Sequence, residues 1–275
     1  LGLSRSTLFT LEELQNFTHT ARSINCGHCS NHCALTINTF ANGKRFISGN
    51  KCERPLGVRN SEQLPNMVQW KLERIRSLKP KAGKRGKIGL PLALNMIENL
   101  PFWFAFFTEL GFEVVVSPIS TLDLCAKGRY TIPSDTVCYP AKLVHGHIEY
   151  LLDQKLPVIF YPCLAYNFDE HKGDNHYNCP VVAYYPELLK SNVTRLQETR
   201  FLYPYFGLHR EKDFVKKAAE YFGAEFPGVT RGEAKKAAAA AYAAYAEWQA
   251  ETKAEGRRIL DWADKNGRRI AVLAG

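Results

Sequence analysis

From residue 87 onward, short apolar runs alternate with longer amphipathic or apolar stretches. The runs at 87–90 (KIGL), 113–116 (EVVV) and 158–161 (VIFY) have the length and β-branched content of buried strands. Residues 95–110 read as an apolar helix ended by Gly111, residues 120–127 as a short helix closed by Gly128, and residues 141–154 as a third helix. A further short strand is expected at 181–184 and a helix at 211–222. Residues 232–265 predict one long Ala-rich helix, with Tyr242, Tyr245 and Trp248 spaced to form a packing seam. Strand–helix alternation of this kind implies an α/β fold: a parallel, Rossmann-like sheet with helices on both faces.

Before residue 87 the pattern differs. Thr10 with Glu13 three positions later is a capping-box start for a short helix within residues 1–24. Residues 34–40 and 45–48 alternate around Ala41-Asn42-Gly43, a tight-turn signal that predicts a hairpin. Leu64, Val68, Leu72 and Ile75 mark one face of a helix within 61–78. The stretch 79–87 (KPKAGKRGK) carries Pro and two Gly and reads as a linker. Three parts follow: residues 1–80 with a cysteine-rich knob and connecting helix, residues 86–228 as the α/β lobe, and residues 229–275 as the long helix. The last part ends in a strand at 268–275 (RRIAVLAG), expected to open a further lobe of a larger polypeptide.

The knob holds the strongest local signal. Cys26, Cys29 and Cys33 follow a C-x2-C-x3-C spacing, and the hairpin predicts that Cys52 returns toward them. Four thiols so arranged suit a [4Fe-4S] cluster or a structural zinc, and ligand type alone does not separate the two. His28 and His32 lie in the same loop and can replace a thiol in a zinc site. Eight cysteines in 275 residues are too few for a disulfide scaffold, and no signal segment precedes them, so a reducing cytoplasm is the expected setting.

A second set lies in the lobe. Cys138 begins a predicted helix, where the positive dipole end favours an anion. Cys163 follows the strand at 158–161, at the end of the sheet where ligands collect in parallel α/β folds. Cys179 precedes Pro180 and is either a third ligand or a buried thiol, while Cys125 reads as core. Lys142 and His145 share a helix face, with His147 nearby, and offer positive charge for an anionic cluster or a phosphate; the alternative is an ordinary polar face. His171 and His176 sit in a polar loop that reads as solvated.

The net charge of +9 is dispersed, which favours a basic face for a phosphorylated cofactor or acidic partner over nucleic-acid binding. No phosphate-binding loop, dinucleotide fingerprint or protease constellation occurs, so this segment alone is not expected to hydrolyse ATP. No apolar run reaches the length of a membrane-spanning helix.

The phrases IGLPLALNMIENLPFWFAFFTELGFEVVVSP, IPSDTVCYPAKLVHGHIEYLL, VIFYPC and NCPVVAYYPE, together with NCGHCSNHCALTINTFANGKRFISGNKCERP, cover most of residues 20–205. Together they resemble the acyl-CoA dehydratase activase-related domain family (DUF2229), itself similar to 2-hydroxyacyl-CoA dehydratase and double-cubane cluster protein subunits. The resemblance implies a place in large proteins of anaerobes, after ATP-binding activase domains of the actin/hexokinase type. In that wider group an ATP-driven iron–sulfur activase passes a low-potential electron to an acceptor cluster held by cysteines from more than one α/β lobe. By position, Cys138 and Cys163 would be ligands from this lobe, with a further ligand from a later lobe or from Cys179. The implied cofactor is a [4Fe-4S] or related cluster, with zinc as the alternative at the knob. The implied partners are an activase domain or subunit and the remaining lobe. The expected function is an electron-transfer or reductase module serving a difficult reduction or a 2-hydroxyacyl-CoA dehydration; the alternative is a zinc-stapled scaffold that docks partners. A low-potential cluster also needs a dry site, and the apolar helix at 100–110 is expected to cover it.

Overall fold

The computed structural model describes residues 10–29, 31–57, 64–170 and 173–272. The chain divides into two compact units, Leu1–Leu64 and Pro65–Gly275.

In the first unit, α1 (Leu11–Gln15) opens with the capping box between Thr10 and Glu13 that the spacing predicts. Residues 1–9 of the expected helical segment lie outside the described residues. Three strands follow, β1 (His19–Asn25), β2 (Ala34–Phe40) and β3 (Arg45–Ser48), in an antiparallel sheet of order β1-β2-β3. The β2–β3 hairpin has the predicted bounds. Gly43 takes the left-handed conformation (φ 77°), and the Asn42 side chain accepts from the Lys44 N–H at 3.0 Å. β1 has no counterpart in the sequence reading, because HTARSIN has no apolar period. Its backbone nevertheless pairs with β2 from His19↔Phe40 to Asn25↔Ala34.

The second unit begins with α2 (Met67–Arg76). Asn66 caps it by accepting from the Gln69 N–H at 3.0 Å, and Pro65 precedes the cap, so the helix starts later than residue 61. Residues 61–63 lie outside the described residues. The lobe then runs β4 (Lys87–Leu90), α3 (Met96–Glu109), β5 (Glu113–Val116), α4 (Leu122–Gly128), α5 (Tyr139–Asp153), β6 (Val158–Phe160), α6 (Pro180–Asn192), β7 (Arg200–Leu202), α7 (Glu211–Glu225) and α8 (Arg231–Lys265). All four strands are parallel, in the order β5-β4-β6-β7. The strand order reverses between β4 and β6. Ligands of open α/β sheets bind beyond the carboxyl ends of the strands at such a reversal.

Three expectations are corrected. Residues 181–184 are the first turns of α6, not a strand: Pro180 at the first helical position pre-sets the helical φ, and this outweighs the β-propensity of Val-Val-Ala-Tyr. Residues 268–272 form no strand, and residues 273–275 lie outside the described residues. The connecting helix and the long helix are not separate parts. They pack with the lobe, with Lys71 of α2 paired to Glu98 of α3 at 2.6 Å and Phe102 of α3 edge-on to Tyr242 of α8 at 5.0 Å.

The sheet has two unlike faces. On one, α3, α7 and α8 bury a layer of rings. Trp103 lies 4.7 Å from Phe160, Phe107 lies 4.8 Å from Phe160, and Phe102 lies 5.0 Å from Tyr242 of α8. Trp103, Phe106, Phe107 and Phe222 are fully buried, each worth roughly 1.5–3 kcal/mol of hydrophobic stabilisation. On the other face lies α5, at whose side chains Gly89 of β4 points: a Cβ there would meet Leu151 at 3.2 Å. α4 packs against α5 backbone to backbone. A Cβ on Gly128 would sit 2.2 Å from the Gly146 nitrogen, and one on Gly146 only 1.9 Å from the Leu124 carbonyl oxygen.

Candidate functional site: a cysteine–tyrosine edge of the sheet

Right-handed strand–helix–strand crossovers place helix N-termini at the carboxyl end of a parallel sheet. Cys138 is the N-cap of α5 and Cys179 the N-cap of α6, and their backbones are near-identical, with φ −61° and ψ 151° and 154°. Pro140 follows the first cap by two residues and Pro180 the second directly, so each helix starts where the sequence dictates. The Cys179 sulfur accepts from the Val182 N–H at 3.5 Å. Both thiols belong to exposed residues.

Cys163 reaches the same edge from the sheet. The ladder of β6 continues past Phe160: the Tyr161 N–H donates to Leu202 O and the Cys163 N–H to Pro204 O, both at 2.9 Å. Residues 161–163 are therefore extended, and Tyr161 and Cys163 point to one face while Phe160 points to the other. Cys163 is fully buried, and burial pushes its thiol up to about 11, with the Glu187 carboxylate adding to the rise. The Tyr161 hydroxyl lies within electrostatic reach of Cys163, Tyr185 and Cys179, and Tyr185 within reach of Cys138. Cys163 and Cys179 thus lie in the neighbourhood of Tyr161, and Cys138 in that of Tyr185.

The helix behind this edge is pinned by two histidines. Thr131 Oγ1 donates its only proton to Gly128 O at 2.8 Å, so it accepts from His145 Nδ1–H at 2.7 Å. His145 Nε2 is then the acceptor for the Tyr185 hydroxyl at 2.9 Å, which ties α5 to α6. His147 is held by Ser117 at Nδ1 (2.7 Å) and Ser120 at Nε2 (2.9 Å), while Ser117 also accepts from the Leu92 N–H at 2.8 Å. Burial lowers both histidines to about 4. His145 is therefore a neutral ring with both nitrogens engaged, not a source of positive charge. Lys142 donates to the Asp135 carbonyl at 2.7 Å.

The apolar helix at 100–110 does not cover the cysteines. As α3 it packs on the face of Phe160, opposite to Tyr161 and Cys163. His176 sits 3.3 Å from Asp169, and His171 lies outside the described residues. Cys125, half-buried in α4, interacts with the Tyr139 hydroxyl.

In the first unit, the β1–β2 ladder extends by one more bond, from the Cys26 N–H to Cys33 O at 2.8 Å. Cys29 lies in the intervening loop. The chain leaving β3 turns at Gly49, where a Cβ would lie 2.2 Å from Ala34 O, so Cys52 follows at the end of the sheet that carries Cys26 and Cys33. Cys26 is buried, Cys29 and Cys33 half-buried, and Cys52 exposed.

Thiol donors suit iron–sulfur clusters or zinc at either place. Among the described residues, no group of three or more His, Cys, Asp or Glu side chains is gathered so as to hold a metal ion. Among the described residues, the buried Tyr161 hydroxyl finds no hydrogen-bond partner. Tyr161, Tyr185 and Thr131 were not among the sequence candidates. Tyr161 was legible as the same-face neighbour of Cys163 along the strand; the other two depend on the α5–α6 contact. No helix among the described residues is long and apolar enough to cross a membrane.

A family model described as the CoA enzyme activase uncharacterised domain (DUF2229) matches residues 87–275. It takes in the whole parallel sheet with Cys138, Cys163 and Cys179, and leaves Cys26, Cys29, Cys33 and Cys52 outside. No curated protein and no solved structure matches the chain. With well over half of its length inside the match, the chain belongs to the CoA enzyme activase uncharacterised domain family (DUF2229).

Proposed function

We propose that this chain is the iron–sulfur electron-transfer module of an ATP-dependent, CoA enzyme activase-type system. Cys138, Cys163 and Cys179 would hold a [4Fe-4S] or related cluster at the carboxyl edge of the lobe. What supports the reading is the placement of those three residues, at two helix N-termini and one strand end of the same sheet, with Cys163 and Cys179 within electrostatic reach of Tyr161 and Cys138 within reach of Tyr185. When bound, the cluster would accept and pass on single electrons at low potential.

The chain's own residues have definable tasks. Cys163 supplies a thiol from a fully buried position that excludes water, and Cys138 and Cys179 supply thiols from the exposed rim. The His145–Tyr185 bond holds the two helix N-termini in register. Loading would draw the thiols inward, with a fourth ligand from another lobe or subunit. An activase domain, in the same chain or a separate subunit, is the partner this reading requires. A cytoplasmic setting, where thiols stay reduced, belongs to the same reading.

The test is anaerobic purification followed by iron and acid-labile sulfide analysis and the absorption spectrum. Bound iron with matching sulfide and a broad band near 400 nm is the expected result. A colourless protein, with no iron after anaerobic reconstitution, would refute it.

A second reading concerns the first unit. Cys26 and Cys33 close the ladder of a three-stranded sheet through one backbone bond, Cys29 lies in the loop between them, and Cys52 follows the last strand. Four thiols on so small a sheet favour a structural zinc there, with an iron–sulfur cluster as the other occupant. Zinc near one equivalent that is lost in Cys26→Ser supports the structural role. Iron lost in its place assigns a cluster.

A further inference from the structure

We propose that Cys26 and Cys33 form a thiol–disulfide exchange site, a cross-strand pair that a small-molecule disulfide oxidises to one intramolecular bond. The inference rests on neither metal reading; it rests on the register of the β1–β2 ladder. The two strands pair from His19↔Phe40 to Asn25↔Ala34, so the next residues in register are Cys26 and Cys33. The Cys26 N–H donates to Cys33 O at 2.8 Å, so the register holds at this position. Directly opposed residues of an antiparallel ladder project their side chains to the same face. At a hydrogen-bonded position their Cα atoms lie about 5.5 Å apart, inside the range of roughly 4.4–6.8 Å that a disulfide spans. The reverse bond, from Cys33 N–H to Cys26 O, is not made, so this end of the ladder has freedom to draw together. A disulfide needs two thiols, whereas a metal site needs three or four ligands, and no group of three is gathered among the described residues.

The pair ends the sheltered face of the sheet. The two-residue period puts Cys26 and Cys33 on the face of Ile24 and Leu35, of which Leu35 is buried. Cys26 is buried and Cys33 half-buried, which divides the work between them. The more accessible Cys33, as thiolate, attacks one sulfur of the small disulfide. A mixed disulfide forms at Cys33 and the first small thiol leaves. The Cys26 thiolate then attacks the Cys33 sulfur, the protein disulfide forms, and the second small thiol leaves. Two electrons and two protons pass from the protein thiols to the small disulfide, and no other reactant takes part. Cys29 is half-buried as well, but it lies in the loop and opposes no thiol across the ladder. A sulfur held in a disulfide is no longer a thiolate ligand, so this oxidation also withdraws two donors from any metal bound there.

The experiment uses the full chain, treated with a chelator and fully reduced. It is equilibrated anaerobically in glutathione buffers of rising oxidised fraction, trapped with an alkylating reagent, and read by intact mass and peptide mapping. The parent should lose two free thiols, with Cys26 linked to Cys33, and regain both on reduction with dithiothreitol. Cys26→Ser should stop at the mixed disulfide, with one glutathione on Cys33. The same titration in urea should need a more oxidised buffer to close the bond, because the ladder no longer opposes the two thiols. Thiols that all stay free or carry only glutathione in the most oxidised buffer overturn the inference. A link from Cys26 to Cys29 or Cys52 in place of Cys33 also overturns it. Closure in urea at the same oxidised fraction as in the folded chain does so too, because the fold then contributes nothing. The lobe's iron and sulfide content plays no part in these readouts, so failure here leaves the iron–sulfur reading standing.

Discussion

The two faces of the parallel sheet obey opposite rules. The face under α3, α7 and α8 is built from rings, with Trp103, Phe106, Phe107, Phe160 and Phe222 packed edge to face and fully buried. The face under α5 and α6 buries His145, His147 and Glu149, and ends at three cysteines. Burying polar groups costs several kcal/mol each unless they are paired, so a polar face this dry persists only where hydrogen bonds are supplied. Those bonds are present for both histidines and for one oxygen of Glu149, which accepts from Arg195 at 2.6 Å. The comparison assigns stability to one face and leaves the proposed chemistry to the other.

The largest effect should come from the ring face. Trp103→Ala removes a fully buried indole in contact with Phe102, Phe160 and Phe214, and should cost about 4 kcal/mol in urea denaturation. Iron bound per folded molecule should not change. A Trp103→Ala protein as stable as the parent would break the division between the faces.

Acid is the next probe, and it acts on the other face. Burial holds His145 and His147 at about 4, below the 6.5 of the unfolded chain. The unfolded state therefore takes up protons first. The stability from each neutral histidine is complete above pH 6.5 and is lost as pH falls toward 4, by about 3 kcal/mol per histidine. Denaturation curves of the metal-free protein across that window should show the loss, and His147→Asn should flatten part of it.

Gly146→Ala sharpens the comparison at the α4–α5 crossing. Alanine suits a helix better than glycine, but its Cβ would lie 1.9 Å from the Leu124 carbonyl, so α4 must move. A net loss of about 2 kcal/mol is expected by chemical denaturation. Tyr185→Phe should cost somewhat less, about 1–2 kcal/mol, by leaving His145 Nε2 buried without its donor. It should also loosen α6 against α5, seen as faster amide exchange in the first turn of α6.

Much of the ring face was legible in the sequence, and much less of the chemical face. Apolar runs at 87–90 and 113–116 and the helix ended by Gly111 match the structure closely, because burial on both sides of a parallel strand writes itself as a continuous apolar run. β7 was missed because three residues, Arg200–Leu202, carry no period. β1 was missed because its side chains are mostly exposed and its pairing is a backbone matter. α6 was misread because Val181, Val182 and two tyrosines resemble a strand, although Pro180 marked a helix start. The helix start at Cys138 and the strand end before Cys163 were legible, whereas Cys179 stood out only through its Cys-Pro pair, because the helix it caps was read as a strand. The tyrosines near these cysteines were not legible, because Tyr161 and Tyr185 are far apart in sequence and meet only through the packing of α6. Of the two readings open for His145, the hydrogen-bonded histidine holds and the source of positive charge does not, because its partners Thr131 and Tyr185 come from other elements.

The central claim is that Cys163 and its two neighbours grip an iron–sulfur cluster. Iron and sulfide analysis with EPR on anaerobically prepared Cys163→Ser, beside the parent chain, tests it most directly. The account predicts that the variant folds and loses the iron and sulfide assigned to the lobe, while Cys26→Ser leaves that fraction in place. Unchanged iron, sulfide and EPR signal in Cys163→Ser would contradict it.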